Sequence, residues 1–166
     1  LASIAHLSGL QGLTLLYAHC EVPVDLSALR ITVLETDVTT IERLPVSLVT
    51  CQIASPGDFD CAALTRLLHL KVSSWAAVKL TLPRQLEELH VRRLDVGGSN
   101  LKDVQLKRLY VRNQPADKQF LESLPKTIVS LRMPSFDFEL LMAFWRLFPN
   151  RERTESEFVI KIPPSW

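Results

Sequence analysis

The feature that most constrains this chain is a spacing that recurs. Between Leu82 and Leu94 it reads LPRQLEELHVRRL, with Leu86, Leu89, Val91 and Leu94 in the pattern L-x-x-L-x-L-x-x-L. Side chains alternate between faces in an extended segment, so Leu89 and Val91 share one side and Glu88, His90 and Arg92 the other. The pattern returns with first apolar positions at 10, 26, 48, 67, 86, 106 and 128, at intervals of 16, 22, 19, 19, 20 and 22 residues. A unit this short cannot enclose a core alone. Stacked copies can, which predicts a solenoid.

A second regularity agrees in phase. Pro23, Pro45, Pro83 and Pro125 each stand three residues ahead of a first apolar position. Proline cannot donate to a strand ladder but suits the entry to one, so the four mark the same corner of successive units. The spacing predicts seven short parallel strands in one sheet. They centre on Leu13/Leu15, Leu29/Ile31, Cys51/Ile53, Leu70/Val72, Leu89/Val91, Leu109/Val111 and Leu131/Met133. What remains of each unit has space for a turn, extended chain or a little 3₁₀ helix, not a long helix. Pro56-Gly57-Asp58 and Gly97-Gly98-Ser99-Asn100 read as turns between units, and no Lys-Ser or Lys-Thr follows the double glycine to make a phosphate loop. Beyond Phe136 the period changes: Phe138, Leu141, Met142, Trp145 and Phe148 follow the three-and-four spacing of a helix over 137–148, stopped by Pro149-Asn150. RERTESE then reads as a solvated loop, and FVIKIPPSW as a final strand.

Over residues 7–136 the repeated core resembles the leucine-rich repeat family, and the lead-ins LPVSL, LPRQL and LPKTI look like its short, irregular variants. The resemblance implies an α/β solenoid: an arc with a parallel sheet on one face, an irregular or 3₁₀ convex side and a C-terminal capping helix. It divides the chain into about seven repeats in 1–136 and a cap in 137–166. Where the family places an Asn ladder this chain has Ala18, Leu34, Pro56, Trp75, Leu94, Gln114 and Phe136. That departure predicts a distorted arc whose turn backbone is satisfied by other means. Leu7, Leu10 and Leu13 have no cap sequence ahead of them, so the N-terminal edge is expected to be covered by further repeats or by a partner chain, the sequence being a fragment of something longer.

Composition narrows the function classes. The chain of 166 residues is 47% hydrophobic and 22% charged, without the eighteen or so continuous apolar residues of a membrane helix. Cys20, Cys51 and Cys61 match no disulfide or zinc spacing, which points to an intracellular setting. His6, His19, His69 and His90 are scattered, and His19 and Cys20 adjoin but face opposite ways on a strand. Cys51 falls on a core position, where it acts as a small hydrophobe. Glu87-Glu88 reads as a solvated or salt-bridged pair rather than as an acid and base. No catalytic, cofactor or metal site emerges, and the expectation is a noncatalytic interaction module.

Charge is uneven along the chain. Residues 1–66 carry a net −4, residues 67–133 a net +6 and the remainder −1. The strand residues between the inner apolar pairs form a column: Thr14, Arg30, Gln52, Lys71, His90, Tyr110 and Arg132. Beside it, Arg92, Arg108 and Arg112 add further charge, so the expected binding surface comprises Lys71, His90, Arg92, Arg108, Tyr110, Arg112 and Arg132, with Tyr110 as the packed anchor. Such a surface suits a protein partner with an acidic or phosphate-bearing face. RNA or another nucleic acid is the alternative, with the cations on phosphates and Tyr110 or His90 stacked on a base.

Overall fold

The structure is a computed structural model that describes residues 9–15, 24–37, 41–54, 57–113, 117–133 and 138–147. It is a parallel β-solenoid with little helix. Seven strands form one parallel sheet: β1 (Gly12–Leu15), β3 (Val33–Thr36), β5 (Thr50–Ala54), β7 (His69–Ser73), β9 (Glu88–Val91), β10 (Arg108–Val111) and β11 (Ser130–Arg132). They stand in that order, each pairing only with its predecessor and successor in the list. On the return path, β2 (Val24–Asp25) pairs with β4 (Ile41–Arg43) and β6 (Phe59–Asp60) with β8 (Leu80–Thr81), again in parallel. A single bridge joins Val78 to Leu94, and Leu101–Asp103 makes one 3₁₀ turn.

Six of the seven expected strand centres lie where the leucine spacing put them. The second does not. Residues Leu29 and Ile31 precede β3, whose inward pair is Leu34 and Thr36, aligned with Leu13 and Leu15 on one side and with Cys51 and Ile53 on the other. Leu26 and Leu29 instead close a turn on the return path, Leu29 N–H donating to the Leu26 carbonyl at 3.0 Å, and both are buried there. Ile31 therefore takes the first apolar position. The spacing misleads here because Leu26, Leu29 and Ile31 satisfy L-x-x-L-x-L, whereas the true strand carries Thr36, buried at 3% exposure, in the third place. The sixth unit has the same extra apolar residue, Val104, after its 3₁₀ turn and before Leu106.

Every junction between neighbouring strands of the large sheet begins in the same way. One carbonyl accepts the N–H groups of two consecutive residues of the next unit: Gln11 from Thr32 and Val33, Thr32 from Val49 and Thr50, Val49 from Leu68 and His69. Leu68 accepts from Glu87 and Glu88, Glu87 from Lys107 and Arg108, and Lys107 from Val129 and Ser130, all within 2.7–3.3 Å. A carbonyl oxygen has two lone pairs, so each group can serve both donors, and no Asn ladder is required there. The LPxS-type lead-ins add side-chain donors. Pro45, Pro83 and Pro125 are buried, each with its carbonyl accepting from the residue three positions on, while Pro23 lies outside the described residues. The polar residue that follows reaches back one unit: Ser47 Oγ to the Ile31 carbonyl, Gln85 Nε2 to that of Leu64 and Thr127 Oγ1 to that of Leu106.

Stacking in register lines the interior with Ile31, Leu48, Leu67, Leu86, Leu106 and Ile128 in one row and Leu34, Cys51, Leu70, Leu89, Leu109 and Leu131 in the next, all buried. Each leucine removed from water contributes about 1.5–3 kcal/mol. The predicted turn at Gly97-Gly98 forms around Asp95, whose Oδ1 accepts from Gly98 N–H at 3.2 Å and whose carbonyl accepts from Ser99 Oγ. A Cβ on Gly98 would lie 2.5 Å from Asp95 Oδ2 and 3.0 Å from the Lys79 side chain, so any larger residue would have to displace the Asp95 carboxylate that holds the turn. Asn100 then stands in for a missing strand: its amide accepts from Leu82 N–H at 2.7 Å and donates to the Leu82 carbonyl at 3.0 Å.

Two helices follow. The short α1 (Lys118–Ser123) was not expected; Asp117 Oδ1 caps it by accepting from Phe120 N–H at 2.7 Å, and Phe120 and Leu121 are buried. The expected helix over 137–148 is found as α2 (Phe138–Leu147) and lies against α1. The predicted loop and final strand after Asn150 are outside the described residues.

Two substitutions test these contacts by chemical denaturation. Leu89→Ala should cost about 2–5 kcal/mol, because it empties a fully buried site in a row with little freedom to collapse. Asn100→Ala should cost about 1–3 kcal/mol by leaving both backbone groups of buried Leu82 unpaired.

Candidate strand-face interaction site

The parallel register turns the outward residues of the sheet into rows. The central row runs Thr14, Glu35, Gln52, Lys71, His90, Tyr110, Arg132. The register correction at β3 puts Glu35 in the place expected for Arg30, so the second position of this row is acidic where a basic residue was expected. Glu35 Oε1 accepts from Gln52 Nε2 at 2.7 Å. The row on the strand-entry side runs Gly12, Val33, Thr50, His69, Glu88, Arg108, Ser130. On the exit side Ala54 pairs with Ser73. Arg112 N–H donates to the Val91 carbonyl and Asn113 N–H to that of Arg92, which carries the register one residue further and sets Arg92 beside Arg112.

Of the seven residues expected to bind, the structure places five on strands of this sheet, Lys71, His90, Arg108, Tyr110 and Arg132, and Arg92 and Arg112 directly after β9 and β10, and they differ in what they already hold. Arg108 is engaged: its Nη2 and Nε lie 2.7 and 2.8 Å from Glu88 Oε2. The other carboxylate oxygen, Oε1, is 2.6 Å from His90 Nε2, while His69 Nδ1 lies 3.4 Å from Oε2. Glu88 is thus a hub for residues of three neighbouring strands, and His69 and His90, distant in sequence, meet through it. Partial burial pushes the Glu88 carboxyl up, but the His90 hydrogen bond and the Arg108 charge and hydrogen bonds outweigh this and hold it below the usual carboxylate range. Glu87, on the rim, is held low chiefly by a hydrogen bond from Lys107 Nζ at 2.6 Å. The two adjacent acids are accordingly a salt-bridged pair.

The aromatic residues divide as well. Tyr110 is half-buried, stacked on His90 with ring centroids 4.1 Å apart and 24° between planes. Trp75, which the sequence offered only as a departure from the Asn ladder, is 84% exposed. The Arg92 guanidinium lies over its ring, 3.6 Å from the centroid. Among the described residues, Lys71, Arg92 and Arg112 form no ion pair, whereas the charges of Lys107 and Arg108 are matched by Glu87 and Glu88.

Other candidate chemistry stays apart from this face. Cys51 and Cys61 are buried free thiols, pushed up to about 12 by burial, and Cys61 Sγ donates to the Thr81 carbonyl at 3.3 Å. Among the described residues no three His, Cys, Asp or Glu side chains converge on a metal-sized site, and no helix is long and apolar enough to cross a membrane. A depression of about 320 Å³, lined by Arg93, Asp95, Asp117 and Phe120 among others, lies beside the start of α1. No protein-family model, curated protein or solved structure matches the chain.

The low Glu88 value fixes the sign of a pH effect. A carboxylate held lower in the fold than in the unfolded chain adds stability that is complete above the unfolded pKa and lost as pH falls through the folded one. Melting temperature measured from about pH 6 to pH 3 should therefore fall less steeply for Glu88→Gln than for the parent protein. Parallel curves would show that the hub contributes no such linkage.

Proposed function

We propose that this chain is a noncatalytic interaction module, an adaptor or scaffold subunit that docks a protein partner with an acidic surface on the C-terminal half of its strand face. The observation that supports this reading best is the set of cations without a carboxylate partner: Lys71, Arg92 and Arg112 present outward charge beside the His90–Tyr110 stack. Arg108 leaves the expected set as a structural residue, since Glu88 already neutralises it. Arg132 continues the central row at β11.

The same reading makes the chain a leucine-rich repeat arc over 1–136, in an intracellular setting, with α2 and the residues to 166 as its C-terminal cap. The phased strands support the first part, and the packing of α2 on α1 supports the second. RNA binding by the same face is the second reading, favoured by aromatic rings set among the cations.

The test is affinity capture from cell extract with the parent chain and with Lys71→Glu, Arg92→Glu and Arg112→Glu combined. Lys71 and Arg112 are exposed and the half-buried Arg92 holds the exposed Trp75 ring, so the triple variant should melt within a few degrees of the parent. The proposal expects proteins retained by the parent, insensitive to ribonuclease, and lost with the triple variant. Loss on ribonuclease treatment would give the face to RNA, and undiminished capture by a folded triple variant would place the interface elsewhere.

A further inference from the structure

Arg92 and Arg112 directly follow the neighbouring strands β9 and β10 and come side by side when that register is continued by one residue, with Ser73 next in the same row when the β7–β9 register is continued likewise. Like charges directly opposite one another across a strand pair destabilise it, and a fold normally separates them or places an acid between. No carboxylate of the described residues pairs with either arginine. At the entry end of the same two strands, the Glu88 hub shows that this sheet can supply such an acid. The exit row does not.

The second observation is Trp75. A tryptophan that is 84% exposed keeps a large apolar surface in water. Arg92 covers one face of the ring at 3.6 Å, which fixes the guanidinium and leaves most of the indole open. A cation stacked on an aromatic ring loses little further freedom when it binds an anion, and a guanidinium matches a carboxylate in a two-bond geometry. Anchored aromatic and arginine residues at the centre of a contact supply most of its binding energy.

We infer that Ser73, Trp75, Arg92 and Arg112 form an anchor site for an extended acidic peptide segment of a protein partner. One carboxylate bridges the two guanidiniums and a neighbouring apolar side chain covers the open part of the indole. This rests on the strand-face reading above and adds the partner's local chemistry. Charge favours a peptide over RNA. On this face the unmatched cations Lys71, Arg92 and Arg112 are few and lie on or just past adjacent strands about 5 Å apart, with Glu35 in the central row on the N-terminal side and Glu88 at the entry end of β9. Such a patch suits two or three carboxylates at alternate positions of an extended chain better than a run of phosphates.

The experiment titrates the full chain with a synthetic decapeptide of alternating Glu and Leu, and separately with a decamer of single-stranded RNA, by calorimetry at low salt. The inference expects peptide binding that weakens at least about tenfold in Trp75→Ala and in Arg112→Glu. Trp75→Phe should bind between the two, and Arg66→Glu, an exposed residue in the turn ahead of β7, should match the parent. Circular dichroism melts of each variant exclude unfolding as the cause. No peptide binding, peptide binding indifferent to Trp75→Ala and Arg112→Glu, or RNA binding lost with those variants in place of peptide would each overturn it. If extract capture is lost with the triple charge reversal but unchanged in Trp75→Ala, the strand face stands as the interface and this anchor falls.

Discussion

In a stack of short parallel strands, the backbone at each strand entry has to be satisfied by the neighbouring unit, because the unit itself has no length to do it. Here a single carbonyl per unit carries that requirement, accepting two consecutive N–H groups from the next unit at all six junctions of the large sheet. Two donors on one oxygen fix both the height and the phase of the incoming strand. A slip of one residue would turn every leucine of that strand to solvent, so hydrogen bonding and apolar burial select the same register. The Ser, Gln and Thr of the lead-ins tighten the arrangement by bonding one unit back, and buried proline holds the corner in three of those units.

This constraint explains what could be read from the sequence. The row of leucines and the phased prolines are direct images of the stacked interior and its corner, and six strands follow from them. The β3 register was not legible, because Leu26 and Leu29 serve the return path while looking like strand residues, and because a threonine fills the inward place at 36. Spacing reports which residues are apolar, not which wall of the coil they line. The six-residue α1 is too short to show a helical period, and Asp117 as its cap was its one local signal.

For the surface, the column idea was sound but its contents were only partly readable. Register decides that Glu35 rather than Arg30 stands on the face, which makes the charge change sign along the sheet. Contacts across strands decide which cations are available, and no sequence rule says that Glu88 would gather His69, His90 and Arg108. The exposure of Trp75 is likewise a property of where the coil turns. What emerges is a sheet whose entry row is internally neutralised and whose exit row is not, so the same fold that satisfies its backbone leaves two arginines and a tryptophan facing outward.

The shared-carbonyl account is most directly tested by amide hydrogen exchange followed by NMR on the full chain. It predicts that both members of each consecutive pair, Thr32/Val33, Val49/Thr50, Leu68/His69, Glu87/Glu88, Lys107/Arg108 and Val129/Ser130, are protected, in contrast to the alternation usual along a strand with one bonded edge. Protection of only one residue in each pair, or protection in the second unit centred on Leu29 to Ile31 instead of Thr32 and Val33, would contradict it.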